Sequence, residues 1–181
     1  MRDHTEQAEQ DFEAFFHEGF DRTLRLVLRI VPTVAEAEDV AAEAFARAYA
    51  DWNRVGPLEH RLAWVLRVAT NLAVDTVRPR RRRLLPLGIE AAGAVRDRSL
   101  GEDDLAIRHA LVAALRRLPA RQREAIALRY LADLSVDEVA HALGTAPTTV
   151  KTHLQRGLKS LRTVIGSNWE GEPAYGIESG A

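Results

Sequence analysis

Thr148, Thr149, Thr152, Arg156 and Lys159 fall on one side of a helical wheel, with Lys151 and His153 at its flanks. The opposite side carries Val150, Leu154, Leu158, Leu161 and Ile165. An apolar stripe of this kind buries itself and leaves the polar side free. Small hydroxyls and cations on a free helix face suit a DNA major groove, where an arginine can bond a guanine edge bidentately. Catalytic chemistry finds less support. Glu138 and His141 have the Glu-x-x-His spacing of di-iron bundles, but no second copy and no matching inward glutamate accompany them. The pairs His17-Glu18 and Glu59-His60 lack zinc-ligand spacing, and no glycine-rich phosphate loop occurs. With no cysteine in the chain, thiolate chemistry and disulfides are excluded. No catalytic residue, metal or cofactor is expected.

The elements that must position the polar face are legible. Ser135 and Glu138 have capping-box spacing and start a helix, whose apolar face is Val136, Val139, Ala140 and Leu143. Gly144 permits the positive φ of a tight turn. Pro147 sits where its missing N–H costs least, in the first turn of the next helix. Together these make a helix-turn-helix. Upstream, Phe12, Phe15, Phe16, Phe20, Leu24, Val27, Leu28 and Val31 recur at helical spacing until Pro32. Thr33 and Glu36 form a second capping box, predicting a helix to about Asp51 with Val40, Ala44, Phe45, Ala48 and Tyr49 inward. Asn53 to Pro57 reads as a break. A third helix is predicted over about 59–77, with Leu62, Val65, Leu66, Ala69, Leu72 and Ala73 as its apolar face. Residues 84–104 lose periodicity, and helices resume at 105–118 and 120–131. No run alternates long enough to predict a strand.

Charge is segregated beneath a formal net charge of −1. Residues 1–53 hold 5 basic against 12 acidic side chains, and residues 54–83 hold 8 against 2. Residues 84–104 hold 2 against 5, residues 105–165 hold 10 against 4, and residues 166–181 carry three glutamates alone. Two basic blocks imply two nucleic-acid contacts, and the acidic block implies a surface for another partner. The polar N-terminus and the lack of a long apolar run predict a soluble, cytoplasmic chain without a membrane segment.

Three motifs in order resemble those of bacterial extracytoplasmic-function (ECF) sigma factors. Ala37-Glu-Asp-Val-Ala-Ala-Glu-Ala-Phe-Ala-Arg-Ala-Tyr49 resembles the segment that docks on the clamp coiled coil of RNA polymerase. Arg61-Leu-Ala-Trp-Val-Leu-Arg-Val-Ala-Thr-Asn-Leu-Ala-Val-Asp75 resembles the helix that reads the promoter minus-ten element. Arg116-Arg-Leu-Pro-Ala-Arg-Gln-Arg-Glu-Ala through Val150-Lys-Thr-His153 resembles the minus-thirty-five module. The chain departs from the family pattern at Ala42, usually glutamine, at His153, often arginine, and at Gly157, often alanine. The glycine costs roughly 1 kcal/mol of helix propensity.

The resemblance implies an all-α protein of two small helical domains joined by a flexible linker. The expected boundaries are a region-2-like domain at 11–83, a linker at 84–104, a helix-turn-helix domain at 105–165 and a disordered acidic tail at 166–181. The implied partners are core RNA polymerase and promoter DNA, with an anti-sigma factor where the chain shares that habit of its relatives. Glu36, Asp39, Glu43 and Arg47 would face polymerase. Asn53, Arg54, Arg61, Trp64, Arg67, Asn71, Arg78 and Arg80 would serve the minus-ten element, with pockets and aromatic faces for unpaired bases and cations for the backbone. Arg129, Thr148, Thr149, Lys151, Thr152, Gln155, Arg156 and Lys159 would serve the minus-thirty-five duplex. Val150-Lys-Thr-His-Leu154 also resembles the LuxR-type regulator helix, which would bind duplex DNA without polymerase; that reading leaves the first hundred residues without a role.

Overall fold

The computed structural model describes residues 2–77 and 102–165, and every regular element among them is helical. The N-terminal body comprises α1 (Arg2–Leu28), α2 (Val34–Ala50), a single turn α3 (Trp52–Val55) and α4 (Arg61–Thr76). The C-terminal body comprises α5 (Glu102–Arg117), α6 (Ala120–Ile126), a π-helical segment (Ala127–Leu131), α7 (Val136–Leu143) and α8 (Pro147–Ile165). Most of the linker expected at 84–104 lies outside the described residues, but its last three positions belong to α5.

Helix ends follow their side chains. Thr33 caps α2 by accepting the Glu36 backbone N–H at 3.2 Å, while its own hydroxyl donates to the Glu36 carboxylate at 3.0 Å. At α7 the reciprocal pair is complete: Ser135 Oγ accepts from Glu138 N at 3.2 Å, and Glu138 Oε2 accepts from Ser135 N at 2.7 Å. The Ser135 backbone N–H holds the Glu138 carboxyl pKa below its ordinary value, with the Ser135 hydroxyl, Arg22 and His60 adding to it against partial burial. Gly144 closes α7 at φ 60°, and the Thr145 N–H reaches back to Ala140 O at 3.0 Å, as in a Schellman ending.

Three expectations need correction. Tyr49 is 50% exposed rather than inward; it sits at the rim of the α2 stripe, where its ring packs 4.8 Å from Phe12. The predicted helix 120–131 is α-helical only to Ile126. There the ladder widens, with Ala132 N–H bonding Ala127 O at 3.0 Å, a π step that accommodates one extra residue. Finally, α4 starts at Arg61 rather than 59 and has no single apolar face. Ala63, Thr70 and Val74 are buried in addition to Val65, Leu66, Ala69 and Ala73.

That last difference has a physical cause. Helix α4 packs against α1 and α2 on one side and against α5, α6, α7 and the π segment on the other. Its buried Thr70 hydroxyl is satisfied within the helix by Leu66 O at 2.8 Å. The two bodies thus share one core, which runs from Phe15, Phe45 and Leu66 to Leu115, Leu128 and Val150. The expected pair of helical domains is present, and the domains are docked.

Candidate nucleic-acid and polymerase interfaces

Helix α8 is held by Val150, Leu154 and Leu161, all under 7% exposed. Gly157 is buried too, because a Cβ there would meet Ile126 Cγ1 at 3.0 Å. The glycine that weakens α8 as an isolated helix lets it lie close on α6. The opposite face carries Thr148, Thr149, Lys151, Thr152, Gln155, Arg156 and Lys159, and every one is exposed. Thr152 spends its hydroxyl proton on Thr148 O at 3.1 Å, leaving it an acceptor to any ligand. Arg129, expected beside this face, is placed differently. Its guanidinium donates to Leu134 O at 2.9 Å and lies 3.9 Å from the Asp133 carboxylate. It ties down the turn between the π segment and α7, where Asp133 adopts φ 54°.

The minus-ten candidates divide into two groups. Around α3, Asn53 and Arg54 are exposed, and Arg54 pairs with Asp51 at 2.6 Å. The Trp52 indole sits 5.0 Å from Phe12 and 5.3 Å from Phe15. Arg61 covers the same rings, 4.9 Å from the Phe15 centroid and 5.6 Å from that of Trp52, and pairs with Asp11 at 3.3 Å. Two open clefts of about 180 and 400 Å³ flank Trp52 and Asn53, so both residues face cavities. Trp64 is half-buried against the core, as a structural tryptophan would be.

Arg67 and Asn71 point the other way, into the interface between the bodies. Glu124, 6% exposed at its side chain, accepts from Arg67 Nε at 3.2 Å, from Asn71 Nδ2 at 2.9 Å and from Arg121 at 3.3 Å. Arg67 also donates to Ala142 O at 3.2 Å. A buried carboxylate with three donors is well solvated by the protein. Arg78 and Arg80 lie outside the described residues.

Sequence reasoning did not identify a second set of contacts between the bodies. Arg22 donates to Ala132 O at 3.2 Å and Arg29 to Leu131 O. Arg22 comes from α1 and Arg29 from the turn just after it, and both meet carbonyls at the end of the π segment, where a helix presents partial negative charge. Their seven-residue spacing could have placed them on one side of the chain, but nothing local names their acceptors. On α2, Asp39 and Glu43 are exposed and Glu36 is half-buried. Arg47 pairs with Glu43 at 2.8 Å.

A two-body helical chain with a free helix-turn-helix face and a cleft-flanked Trp-Asn corner defines a promoter-recognition class of protein, and the comparisons agree. Residues 16–83 match the model of Sigma-70 region 2, and residues 108–161 match that of Sigma-70, region 4. The ECF RNA polymerase sigma factor SigW of Bacillus subtilis is 33% identical over 154 residues, spanning 78% of this chain and 82% of SigW. The RNA polymerase sigma-E factor of Streptomyces avermitilis is 30% identical over 157 residues, spanning 87% of this chain and 86% of that one. CnrH, solved with the cytosolic domain of CnrY, shares the fold at TM-score 0.55 and 18% identity, over 89% of this chain and 96% of CnrH. The Bartonella quintana sigma factor RpoE, solved with the anti-sigma factor NepR, does so at TM-score 0.51 and 21% identity, over 86% and 97%.

The chain belongs to the ECF RNA polymerase sigma factors. It directs promoter recognition together with RNA polymerase, and the LuxR-type alternative gives way to that reading.

Proposed function

We propose that the two bodies divide promoter recognition between a surface that is ready and one that must be uncovered. The exposed face of α8 reads the minus-thirty-five duplex, with Arg156 and Thr152 addressing base edges and Thr148 and Thr149 meeting phosphate at the helix N-terminus. The Trp52–Asn53 clefts hold unpaired minus-ten bases, with Arg54 and Arg61 beside the backbone. Asp39 and Glu43 dock on a basic surface of core polymerase, raising the encounter rate and fixing register. Arg67 and Asn71 reach the melted strand only after they leave Glu124. The chain works in the cytoplasm and supplies no catalytic group; nucleotide addition belongs to polymerase. An anti-sigma partner, like the NepR solved with RpoE, would act by holding these surfaces.

The observation that carries this reading is the contrast between seven exposed polar residues on α8 and the Arg67–Asn71 pair locked on a buried Glu124. The test is run-off transcription with core polymerase on genomic promoter fragments. Start-site-selective RNA should require both proteins. Tight, polymerase-independent footprinting of a palindrome by this chain alone would overturn it.

A further inference from the structure

Beside the Glu124 contact, the docked bodies bring together three side chains that sequence spacing keeps apart. Glu59 and His60 precede α4, while His141 lies in the last turn of α7, and one potential ligand atom from each lies within 4.8 Å of the others. The imidazoles of His60 and His141 are 4.4 Å apart, centre to centre. We infer that Glu59, His60 and His141 form a binding site for a borderline divalent cation of the zinc type, bridging the two bodies.

The donor set selects the metal. Two imidazoles and one carboxylate suit Zn²⁺ and its neighbours, whereas Mg²⁺ and Ca²⁺ demand oxygen. A tetrahedral ion with bonds of about 2.0–2.1 Å needs ligand atoms about 3.4 Å apart. Closing from 4.8 Å requires only side-chain rotation, since Glu59 and His141 are exposed and His60 is half-buried. Water would complete the shell from the solvent side.

A second observation concerns the tautomer. His141 Nδ1 lies 2.8 Å from the Asp137 carbonyl oxygen. A carbonyl only accepts, so Nδ1 carries the proton and Nε2 is left bare. Orientation of a ligating histidine by a backbone carbonyl is the usual outer-shell arrangement in metal sites. The field is mixed around the adjoining cavity of about 330 Å³: Glu18 and Glu138 line it with Glu59, as do Arg22 and Arg61. Both arginines are engaged elsewhere, on Ala132 O and Asp11 respectively.

Because two ligands belong to one body and the third to the other, the metal binds the docked arrangement more tightly than the separated one. At free metal about 100 times its dissociation constant, the docked-to-separated ratio rises about 100-fold. Given the division of labour proposed above, the ion would keep Arg67 and Asn71 covered. The site itself stands apart from that proposal, because its test contains neither DNA nor polymerase.

The test is a titration of the purified full-length chain with ZnCl2 against a competing chelator. It is repeated on His60→Gln and His141→Gln, with circular dichroism confirming that each variant is folded. One ion per chain is expected, and each variant should lose at least the ~10–100-fold in affinity that loss of an outer-shell partner costs. In a dye pair spanning the two bodies, Zn²⁺ should raise transfer efficiency and a chelator should reverse it; His141→Gln should abolish that response while leaving the metal-free efficiency near wild type. Equal affinity in wild type and both variants, or binding without any change in transfer efficiency, would overturn the proposal.

Discussion

The two bodies of this sigma factor present their expected nucleic-acid residues on different terms. On α8 every expected duplex-reading residue is exposed, and among the described residues Thr152 alone of that face has its side chain hydrogen-bonded to the chain. On α4 the cation and amide expected at the melted strand are spent on Glu124, a residue of the other body. In the proposed reading a duplex can be met as the molecule stands, whereas Arg67 and Asn71 are free for single-stranded DNA only once the bodies part. Docking would then order these contacts without blocking the first.

The largest expected effect comes from removing the shared acceptor. Glu124→Ala leaves Arg67 and Asn71 facing a void, and breaking a buried pair from one side costs about 3–5 kcal/mol. The lower end applies, because the Arg67 and Arg121 side chains are already 30% and 52% exposed and can turn to water. The chain has no native cysteine, so two introduced ones take dyes cleanly. Single-molecule transfer should then show a separated population larger than the parent's. An unchanged distribution would remove the contrast drawn above. Next in size, Arg156→Ala should weaken holoenzyme binding to a specific promoter by roughly 1–3 kcal/mol, read by footprinting, without moving the dye-pair signal.

Smaller effects sharpen the same contrast. Replacing Asp39 and Glu43 together by alanine should slow association with core polymerase about tenfold at low salt, with the difference fading as salt rises. Stopped-flow fluorescence measures it. Gly157→Ala gains about 1 kcal/mol of helix propensity but drives a methyl into Ile126, and overpacking costs about 1–3 kcal/mol. A net loss of about 1 kcal/mol should appear in urea unfolding. Glu138→Gln should be the mildest. Its lowered pKa means that the ionised carboxylate favours the folded state, so its contribution is complete above the ordinary carboxylate range. That contribution disappears as pH falls through the lowered value. The variant should be less stable than the parent at neutral pH, by no more than about 0.5 kcal/mol because the group is largely solvated, and equal to it in acid.

What could be read in advance was local. Ser135, Glu138, Gly144 and Pro147 announce their turn because caps and positive φ depend on the few residues around them. The α8 face was legible because an amphipathic period survives any tertiary setting. What could not be read was which surfaces meet. Helix α4 was given one apolar face, since Arg67 and Asn71 look like solvent residues until Glu124 is known to lie opposite. In sequence His60 and His141 belong to separate pairs, Glu59-His60 and Glu138-x-x-His141, and only docking brings the two imidazoles together. The π step was equally hidden: residues 120–131 keep a helical period to the end, and the widened ladder shows only in the bond from Ala132 to Ala127.

The acceptors of Arg22 and Arg29 are main-chain oxygens. An amide oxygen persists whatever side chain occupies the position, so sequence drift at Leu131 and Ala132 cannot erase these two anchor points. In this contact only Arg22 and Arg29 are genetically adjustable, so how readily the halves come apart can be retuned from α1 and the turn after it while the minus-thirty-five reader is left untouched.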